Sequence, residues 1–279
     1  MKRLVNRSLL AFTLISVCSL GGSADALDLW SQGSYIWDSK QLLSSSGMTK
    51  ELKQLKASGI DRLLVGLTPQ QIENPQTHFH LTKLIDHSKK YNQKVILLLG
   101  EPSWIYPSNR RKLLTLIKRF QTLRFDGLHL DLEVEQLGWP VPENNLRLWS
   151  ETVKEVGDSC RWPLSISSHP RWFELQAEEL SHFCVPCTLR DLDSVSIMVY
   201  TRNKQNVIDR ARGISNMWPN IRFRVAQSVE AEIDPQESLA GSSIQILQTY
   251  NKRLRRELVV NNILGVDWQN WASYPKIQE

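Results

Sequence analysis

The chain has 279 residues, 41% hydrophobic and 23% charged, which is typical of a globular protein and excludes a disordered or fibrous one. The net charge is +5, of which residues 1–26 supply +2. The remaining +3 comes without the long Lys/Arg runs of nucleic-acid binders, so we expect no nucleic-acid partner. Ten tryptophans indicate an aromatic core, aromatic platforms for a flat ligand, or both.

The N-terminus has the three parts of a secretory signal. A basic segment with Lys2, Arg3 and Arg7 precedes an apolar stretch over 9–20, which is too short to span a membrane. Ala24-Asp25-Ala26 supplies a small-x-small cleavage site. We therefore expect a cleaved signal peptide over 1–26, one domain over 27–279, a periplasmic or secreted location and no stable membrane insertion.

The cysteines agree with export. Cys18 would leave with the signal; as a lipoprotein anchor it would follow the bulky Val17, where such signals need a small residue. Cys160, Cys184 and Cys187 remain, which predicts one disulfide and one free thiol. The Cys184-x-x-Cys187 spacing favours a structural disulfide over a zinc or redox site.

Beyond residue 27, strand-like and helical segments alternate, which indicates βαβ units and a parallel sheet. The predicted strands are Ser34–Trp37, Arg62–Leu67, Lys94–Gly100, Gly127–Glu133, Leu164–His169, Ser194–Tyr200, Arg222–Glu230 and Asn262–Trp268. The predicted helices are Thr49–Ala57, Phe79–Tyr91, Asn109–Leu123, Asn144–Val156, Phe173–His182, Gln205–Met217 and Ile244–Leu258.

Eight strand–helix units in one chain predict an α/β fold, a single (β/α)8 TIM barrel. No glycine-rich turn follows the first strand, which disfavours a dinucleotide-binding fold. Active sites of such barrels lie at the carboxyl ends of the strands. The polar and aromatic residues predicted there are Trp37, Glu101, Asp131, Glu133, His169, Tyr200, Arg202, Glu230, Glu232, Asp267 and Trp268.

The fourth strand carries the most informative pattern, Asp-Gly-Leu-His-Leu-Asp-Leu-Glu over 126–133. Alternation along a strand places His129, Asp131 and Glu133 on one face and three leucines on the other. The leucines should pack under the helices and the polar residues should point into the barrel. Closely spaced buried carboxyls raise one another's pKa, which suits general-acid catalysis near neutral pH.

This segment resembles the D-G-x-D-x-D-x-E signature of the family 18 glycoside hydrolases, the chitinase-like barrels. The resemblance implies that Glu133 is the general acid and that Asp131 orients the substrate's acetamido group, which acts as the nucleophile. Met198-Val199-Tyr200 resembles the family's Met-x-Tyr, whose Tyr supports the acetamido oxygen. Trp268 resembles the tryptophan that forms the floor of the sugar site.

The chain departs from the family pattern at two places. His129 replaces the middle Asp, and Thr201-Arg202 replaces the Asp that commonly follows Met-x-Tyr. A second mechanism also competes, because Glu230 ends the seventh strand, where many retaining barrel glycosidases carry their nucleophile. Glu230 could instead bind a sugar hydroxyl or pair with Arg202.

Aromatic and polar residues at the other strand ends complete the predicted substrate site. Trp37, Trp104 and Trp268 are expected to stack on sugar rings, whereas Trp30, Trp139 and Trp162 stay unassigned. The polar substrate-binding candidates are Glu101, His129, His169 and Arg202.

The sequence therefore predicts a glycoside hydrolase acting on a polysaccharide or oligosaccharide, including polymers of N-acetylated amino sugars. We expect no cofactor and no metal, and partners within an exopolysaccharide or cell-wall system. Two alternatives stay open: a non-catalytic carbohydrate-binding barrel, and a metal-dependent deacetylase or hydrolase using Asp131, Glu133, His129 and His169.

Overall fold

The computed structural model describes residues 30–174, 182–258 and 262–277. They form a closed barrel of eight parallel strands in sequence order, which confirms the predicted fold class. The predicted signal peptide over 1–26 and most of the predicted helix Phe173–His182 lie outside the described residues.

The observed strands match the eight predicted runs with shifted ends. They are β1 Ser31–Ile36, β2 Arg62–Gly66, β3 Lys94–Leu99, β4 Gly127–Leu130, β5 Leu164–Ser168, β6 Ser194–Met198, β7 Phe223–Ser228 and β8 Ile263–Gln269. Most end one to three residues before the predicted end, because the last residues of each run already belong to the loops at the active-site end. In contrast, β8 runs one residue further than expected.

Helices follow the strands and cover the outside of the barrel. They are α1 Met48–Ala57, α2 Pro69–Glu73, α3 Gln76–Ser88, α4 Pro107–Phe120, α5 Glu143–Ser159, α6 Val185–Leu189, α7 Lys204–Met217 and α8 Ile244–Glu257, and short 3-10 turns span Lys89–Tyr91, Pro102–Ile105, Val134–Leu137 and Pro170–Phe173. No helix among the described residues is long and apolar enough to cross a membrane.

The main hydrophobic core lies between the strands and the helices. Leu128, Leu130 and Leu132 are buried in this outer layer, as the alternation of the fourth strand predicts. Their neighbours on the opposite face therefore point into the barrel.

The barrel interior is divided into an apolar and a polar half. Tyr35, Leu64, Ile96 and Leu98, from the first three strands, form a separate apolar cluster. The later strands contribute buried polar groups, namely His129, Ser165, Ser167, Ser196, Arg224 and Asp267. Buried polar groups are costly unless they are paired, so this half must form a hydrogen-bonded network.

Asp267 lies at the centre of that network with none of its surface exposed. The prediction that it lies at the active-site end of its strand is wrong, because β8 continues past it to Gln269. Its carboxylate accepts from Arg224 Nε at 2.9 Å, Arg62 Nη1 at 3.2 Å and Ser196 Oγ at 2.7 Å. Burial alone would raise the pKa of Asp267, but the two guanidinium groups outweigh it and lower the pKa to about 2. Gly33 faces this group: a Cβ there would lie 2.0 Å from Asp267 Oδ1, so no side chain fits.

Hydrogen bonds continue from this ion cluster toward the other end of the barrel. Arg62 Nη2 donates to Ser165 Oγ at 2.9 Å, and Ser165 Oγ lies 2.9 Å from His129 Nδ1. His129 Nε2 in turn lies 2.9 Å from Ser167 Oγ and 3.1 Å from the Tyr35 hydroxyl. We call Arg62, Ser165, His129 and Ser167 the polar column.

The cysteines are arranged as one disulfide and one free thiol among the described residues. Cys184 and Cys187 are bonded to each other, and Cys160 is free and half-buried. This confirms the expected structural disulfide. The pair lies at the start of α6, where the Cys184 sulfur accepts from the Cys187 backbone N–H.

Asp267→Asn should strongly destabilise the fold, because it removes the charge that compensates two buried guanidinium groups. We expect the free energy of unfolding, measured by urea denaturation at pH 7, to fall by about 3–5 kcal/mol. Asp193→Asn is the matched control, because it breaks the exposed ion pair with Arg222 and should cost less than about 1 kcal/mol. Equal losses for the two variants would contradict the role of Asp267.

The free energy of unfolding should also fall at low pH, because the charge of Asp267 is lost there. The pKa of Asp267 is lower in the fold than its ordinary value of 3.8, so its stabilisation is complete above about pH 4 and is lost as the pH falls toward 2. The loss between pH 4 and pH 2 should therefore be smaller in Asp267→Asn than in the wild type.

Candidate active site

Two carboxylates lie directly beyond the end of β4. The strand ends at Leu130, and Asp131 and Glu133 follow at the carboxyl end of the barrel. We call this end, where the carboxyl ends of the strands meet, the barrel mouth. Both side chains are partly buried there, and a short 3-10 turn from Val134 leads away from the site.

Glu133 has the environment of a proton donor. Burial, and then the neighbouring charges of Asp131 and Glu135, raise the pKa of its carboxyl to about 7. Gln136 Nε2 donates to Glu133 Oε1 at 2.9 Å, which partly opposes that shift. At neutral pH a large share of Glu133 is therefore protonated, as general-acid catalysis requires.

Asp131 differs from Glu133 in both pKa and hydrogen bonding. Burial raises the pKa of Asp131 to about 6, while its hydrogen bond with Ser167 opposes the shift. Its Oδ1 is buried and has no hydrogen-bond partner among the described residues. A buried acceptor without a partner is unusual, and functional sites are among the places where such atoms occur.

Tyr200 lies close enough to three carboxylates to respond to their charges. Burial, then Tyr35, Asp131, Glu133 and Glu230, raise the pKa of its hydroxyl well above 10. Tyr200 therefore stays protonated at physiological pH and can donate a hydrogen bond. The charges of Asp131, Glu133 and Glu230 therefore all act on the Tyr200 hydroxyl, and the catalytic roles of the four groups stay predictions.

Glu230 is held by a neighbour from the eighth strand's loop. Asn270 Nδ2 donates to Glu230 Oε1 at 2.8 Å, and the Glu230 backbone N–H donates to Ser228 Oγ. Arg202 does not pair with Glu230 in the structure. Its guanidinium donates to the Pro235 carbonyl, and its backbone N–H donates to the Gln236 carbonyl.

Trp37 lies at the mouth beside Asp131. Its ring is partly buried and stacks 6.3 Å from Tyr35, on the apolar cluster inside the barrel. A Cβ added to Gly100 would lie 2.8 Å from the Trp37 ring and 3.1 Å from Asp131 Cβ. The absence of a side chain at Gly100 thus lets the indole and the carboxylate approach each other, and Trp37 is well placed to contact a substrate.

Two predicted substrate-binding residues are not at the mouth. His129 is fully buried, and its ring nitrogens face Ser165, Ser167 and Tyr35. Burial, and then the positive charge of Arg62, lower its pKa well below 6.5, so it is a neutral part of the interior. The prediction that His129 binds substrate is therefore wrong.

Trp268 points away from the barrel interior. Asp267 faces inward, so the next residue faces the helices. Trp268 is fully buried, packs against Tyr250 and Tyr274, and donates to Gln32 Oε1. The prediction that it forms the floor of a sugar site is wrong, because β8 continues to Gln269 and Trp268 lies within the strand.

The remaining predicted residues lie on loops that follow the strands. Glu101 is exposed and accepts from the Ser103 backbone N–H. Trp104 is partly buried against the outer core. His169 Nδ1 accepts from Arg171 Nε at 2.9 Å, and burial and Arg171 lower its pKa to about 4. Their substrate contacts stay predictions.

The two histidines of the metal-dependent alternative are engaged elsewhere. His129 is enclosed in the polar column and both ring nitrogens of His169 contact Arg171. Within the described ranges, no three His, Cys, Asp or Glu side chains are grouped to hold a metal ion. The side chains that would bind the metal in a metal-dependent deacetylase or hydrolase are therefore not arranged to do so.

Several contacts of the site were not predicted from the sequence. Ser167, which bonds to Asp131, and Tyr35, which supports Trp37, share the inward faces of their strands, so alternation could have indicated them. Asn270 and Glu135 lie on loops, where strand periodicity gives no signal.

The barrel fold is similar to that of solved structures from several glycoside hydrolase families. A GH113 β-1,4-mannanase is 14% identical (TM-score 0.57; 87% of this chain and 88% of that one covered). A chitinase from Bacteroides thetaiotaomicron is 12% identical (TM-score 0.57; 88% and 90% covered). A GH18 chitinase from Cycas revoluta is 11% identical (TM-score 0.51; 85% and 94% covered).

At these identities the likeness shows the shared fold, and it does not single out family 18. No protein-family model matches the chain, and no curated sequence is significantly similar to it.

Glu135→Gln should lower the pKa of Glu133. The substitution removes a negative neighbour that favours the protonated acid, yet keeps an oxygen to accept from Trp172 Nε1. The measurement is an NMR titration of 13C-labelled glutamate carboxyls, with Glu133→Gln to assign the signal. Glu143→Gln, an exposed change on α5, is the control. An unchanged or higher pKa in Glu135→Gln would contradict this coupling.

Proposed function

We propose that this protein is a glycoside hydrolase that cleaves a polysaccharide, with Glu133 as general acid. The observation that carries the proposal is the pair of neighbouring carboxyls, Asp131 and Glu133, that follows β4 at the barrel mouth. Burial and the negative charge of Asp131 raise the pKa of Glu133 to about 7, which favours a protonated carboxyl. A protonated carboxyl near neutral pH is what general-acid catalysis requires.

Glu133 would protonate the glycosidic oxygen as the bond to the anomeric carbon breaks. Its proton passes to the leaving sugar, and the resulting carboxylate then accepts a proton from the water that completes hydrolysis. Trp37 would stack on the ring at the cleavage position, because its indole lies beside Asp131 at the mouth.

We infer that the substrate contains N-acetylated amino sugars. The buried Oδ1 of Asp131 has no partner in the described chain and can accept from an acetamido N–H. The Tyr200 hydroxyl, protonated at physiological pH, can donate to the acetamido oxygen. That oxygen would attack the anomeric carbon, forming a cyclic intermediate that water opens with retained configuration.

Glu230 is the weaker candidate for the nucleophile. Its Oε1 is already held by Asn270, whereas Asp131, which would orient the attacking acetamido group, has an acceptor atom without a partner among the described residues. Under this proposal Glu230 binds a sugar hydroxyl. The signal-like segment over 1–26 supports an exported enzyme that meets its polymer in the periplasm or outside the cell.

Glu133→Gln should lower kcat by at least about 100-fold, because the amide has no proton to donate to the leaving oxygen. Its Kd for the polymer should stay near that of the wild type. Both are measured on glycol chitin, glucomannan and carboxymethyl cellulose, with Glu143→Gln, an exposed change on α5, as the control. Unchanged turnover in Glu133→Gln would sink the acid assignment, and wild-type binding without turnover would favour the carbohydrate-binding alternative.

Asp131→Asn and Glu230→Gln distinguish the two nucleophiles. On glycol chitin, Asp131→Asn should reduce kcat by about 100-fold and Glu230→Gln by less than about tenfold. The wild type should prefer glycol chitin to its de-N-acetylated form and release products of retained configuration, followed by NMR. The reverse ranking of the variants, with equal rates on the two polymers, would assign the nucleophile to Glu230.

A further inference from the structure

We propose that Trp139 forms a second sugar-binding position, a subsite on the loop that follows β4. The inference rests on the proposed carbohydrate substrate and adds the place where the polymer continues beyond the cleavage position. It assigns a function to a tryptophan that the sequence leaves unassigned.

Trp139 is exposed in a way that the other tryptophans are not. Among the residues that the structure describes, it is the only tryptophan counted as exposed, at 45% of its surface. A large rigid indole open to solvent is an effective platform for the apolar face of a sugar ring, because little conformational entropy is lost on binding.

The contacts behind the ring fix its orientation. The Arg171 guanidinium lies 4.1 Å from the centre of the Trp139 ring, and Trp172 approaches it edge-on at 5.8 Å. Arg171 is itself held by His169 Nδ1, and Trp172 Nε1 donates to Glu135. The platform is therefore pre-organised by groups from two loops.

The same contacts connect the platform with the acid. Glu135 contributes to the raised pKa values of both Glu133 and Asp131, so its charge lies within reach of the two carboxyls. Glu135 accepts from Trp172, which contacts Trp139. A polymer bound at Glu133 and extending over the loops after β4 and β5 would pass across the Trp139 ring.

Phe79 provides a matched contrast. It is 51% exposed and has the Lys83 ammonium 4.4 Å from its ring centre. However, it lies on the outer helix α3, which carries none of the candidate site residues. If any exposed aromatic with a cation against it bound the polymer, Phe79 would contribute as much as Trp139.

The test measures binding without catalysis. Trp139→Ala, Trp139→Phe and Phe79→Ala are each combined with Glu133→Gln and run on native gels containing glycol chitin, glucomannan or carboxymethyl cellulose. We expect Trp139→Ala to weaken retention on at least one polymer by about three- to tenfold. Trp139→Phe should keep most of the retention and Phe79→Ala all of it.

Kinetics separate this inference from the proposed function. With Glu133 intact, Trp139→Ala should lower kcat/KM on the polymer and leave cleavage of a short chromogenic glycoside unchanged. If the wild type binds a polymer without cleaving it, loss of retention in Trp139→Ala would still support the subsite while hydrolysis fails. Equal behaviour of Trp139→Ala and Phe79→Ala would overturn the subsite, and lack of wild-type retention on all three polymers would overturn both proposals.

Discussion

The buried Asp267 carboxylate is the interaction on which the interior of this barrel depends. Two guanidinium groups from Arg62 and Arg224, both almost fully buried, converge on it. Separating the partners of such a deeply buried ion pair would leave an uncompensated charge. The three groups therefore hold the strands that supply them in fixed positions relative to one another. Gly33 is required for the same reason, since a side chain there would displace the carboxylate. Arg62 also begins the polar column through its hydrogen bond to Ser165, and the column carries the constraint toward the mouth.

The site at the mouth combines the two halves of the interior. Trp37 rests on the apolar cluster of the first three strands, whereas Asp131 is linked through Ser167 to the polar half. The Trp37 ring is thus supported by apolar contacts and the Asp131 carboxylate by a hydrogen bond, and the two side chains lie close together beside Gly100. His129 contributes from below, as a neutral hydrogen-bonding group that holds Ser167, rather than as a ligand for the substrate.

The fold and the centre of the site were accessible from the sequence, because both follow from strand periodicity. Eight apolar runs gave the barrel, and alternation along 126–133 placed the leucines outside and the acids at the mouth. Two predicted substrate-binding residues were wrong, one because of where its strand ends and one because of how deep it lies inside the barrel. Trp268 was placed at a strand end, but β8 extends past it, and a residue within the strand next to an inward Asp267 must face outward. His129 shares the face of Asp131, but it lies one layer deeper, and periodicity does not report depth. The loop contacts of Glu135 and Asn270 depend on tertiary structure, which no local pattern encodes.

The disulfide between Cys184 and Cys187 has a consequence for where the chain can fold. It joins residues only three apart, so it closes a very small loop and restricts few conformations of the unfolded chain. Its contribution is local, at the first turn of α6, while the eight strands are held by the ion cluster and the outer core. Reduction of this bond should thus leave the barrel intact, and the thiol form is expected to be competent to fold in a reducing compartment. If such a protein is exported, the missing disulfide does not keep it unfolded before export. Folding would then have to be slow compared with export.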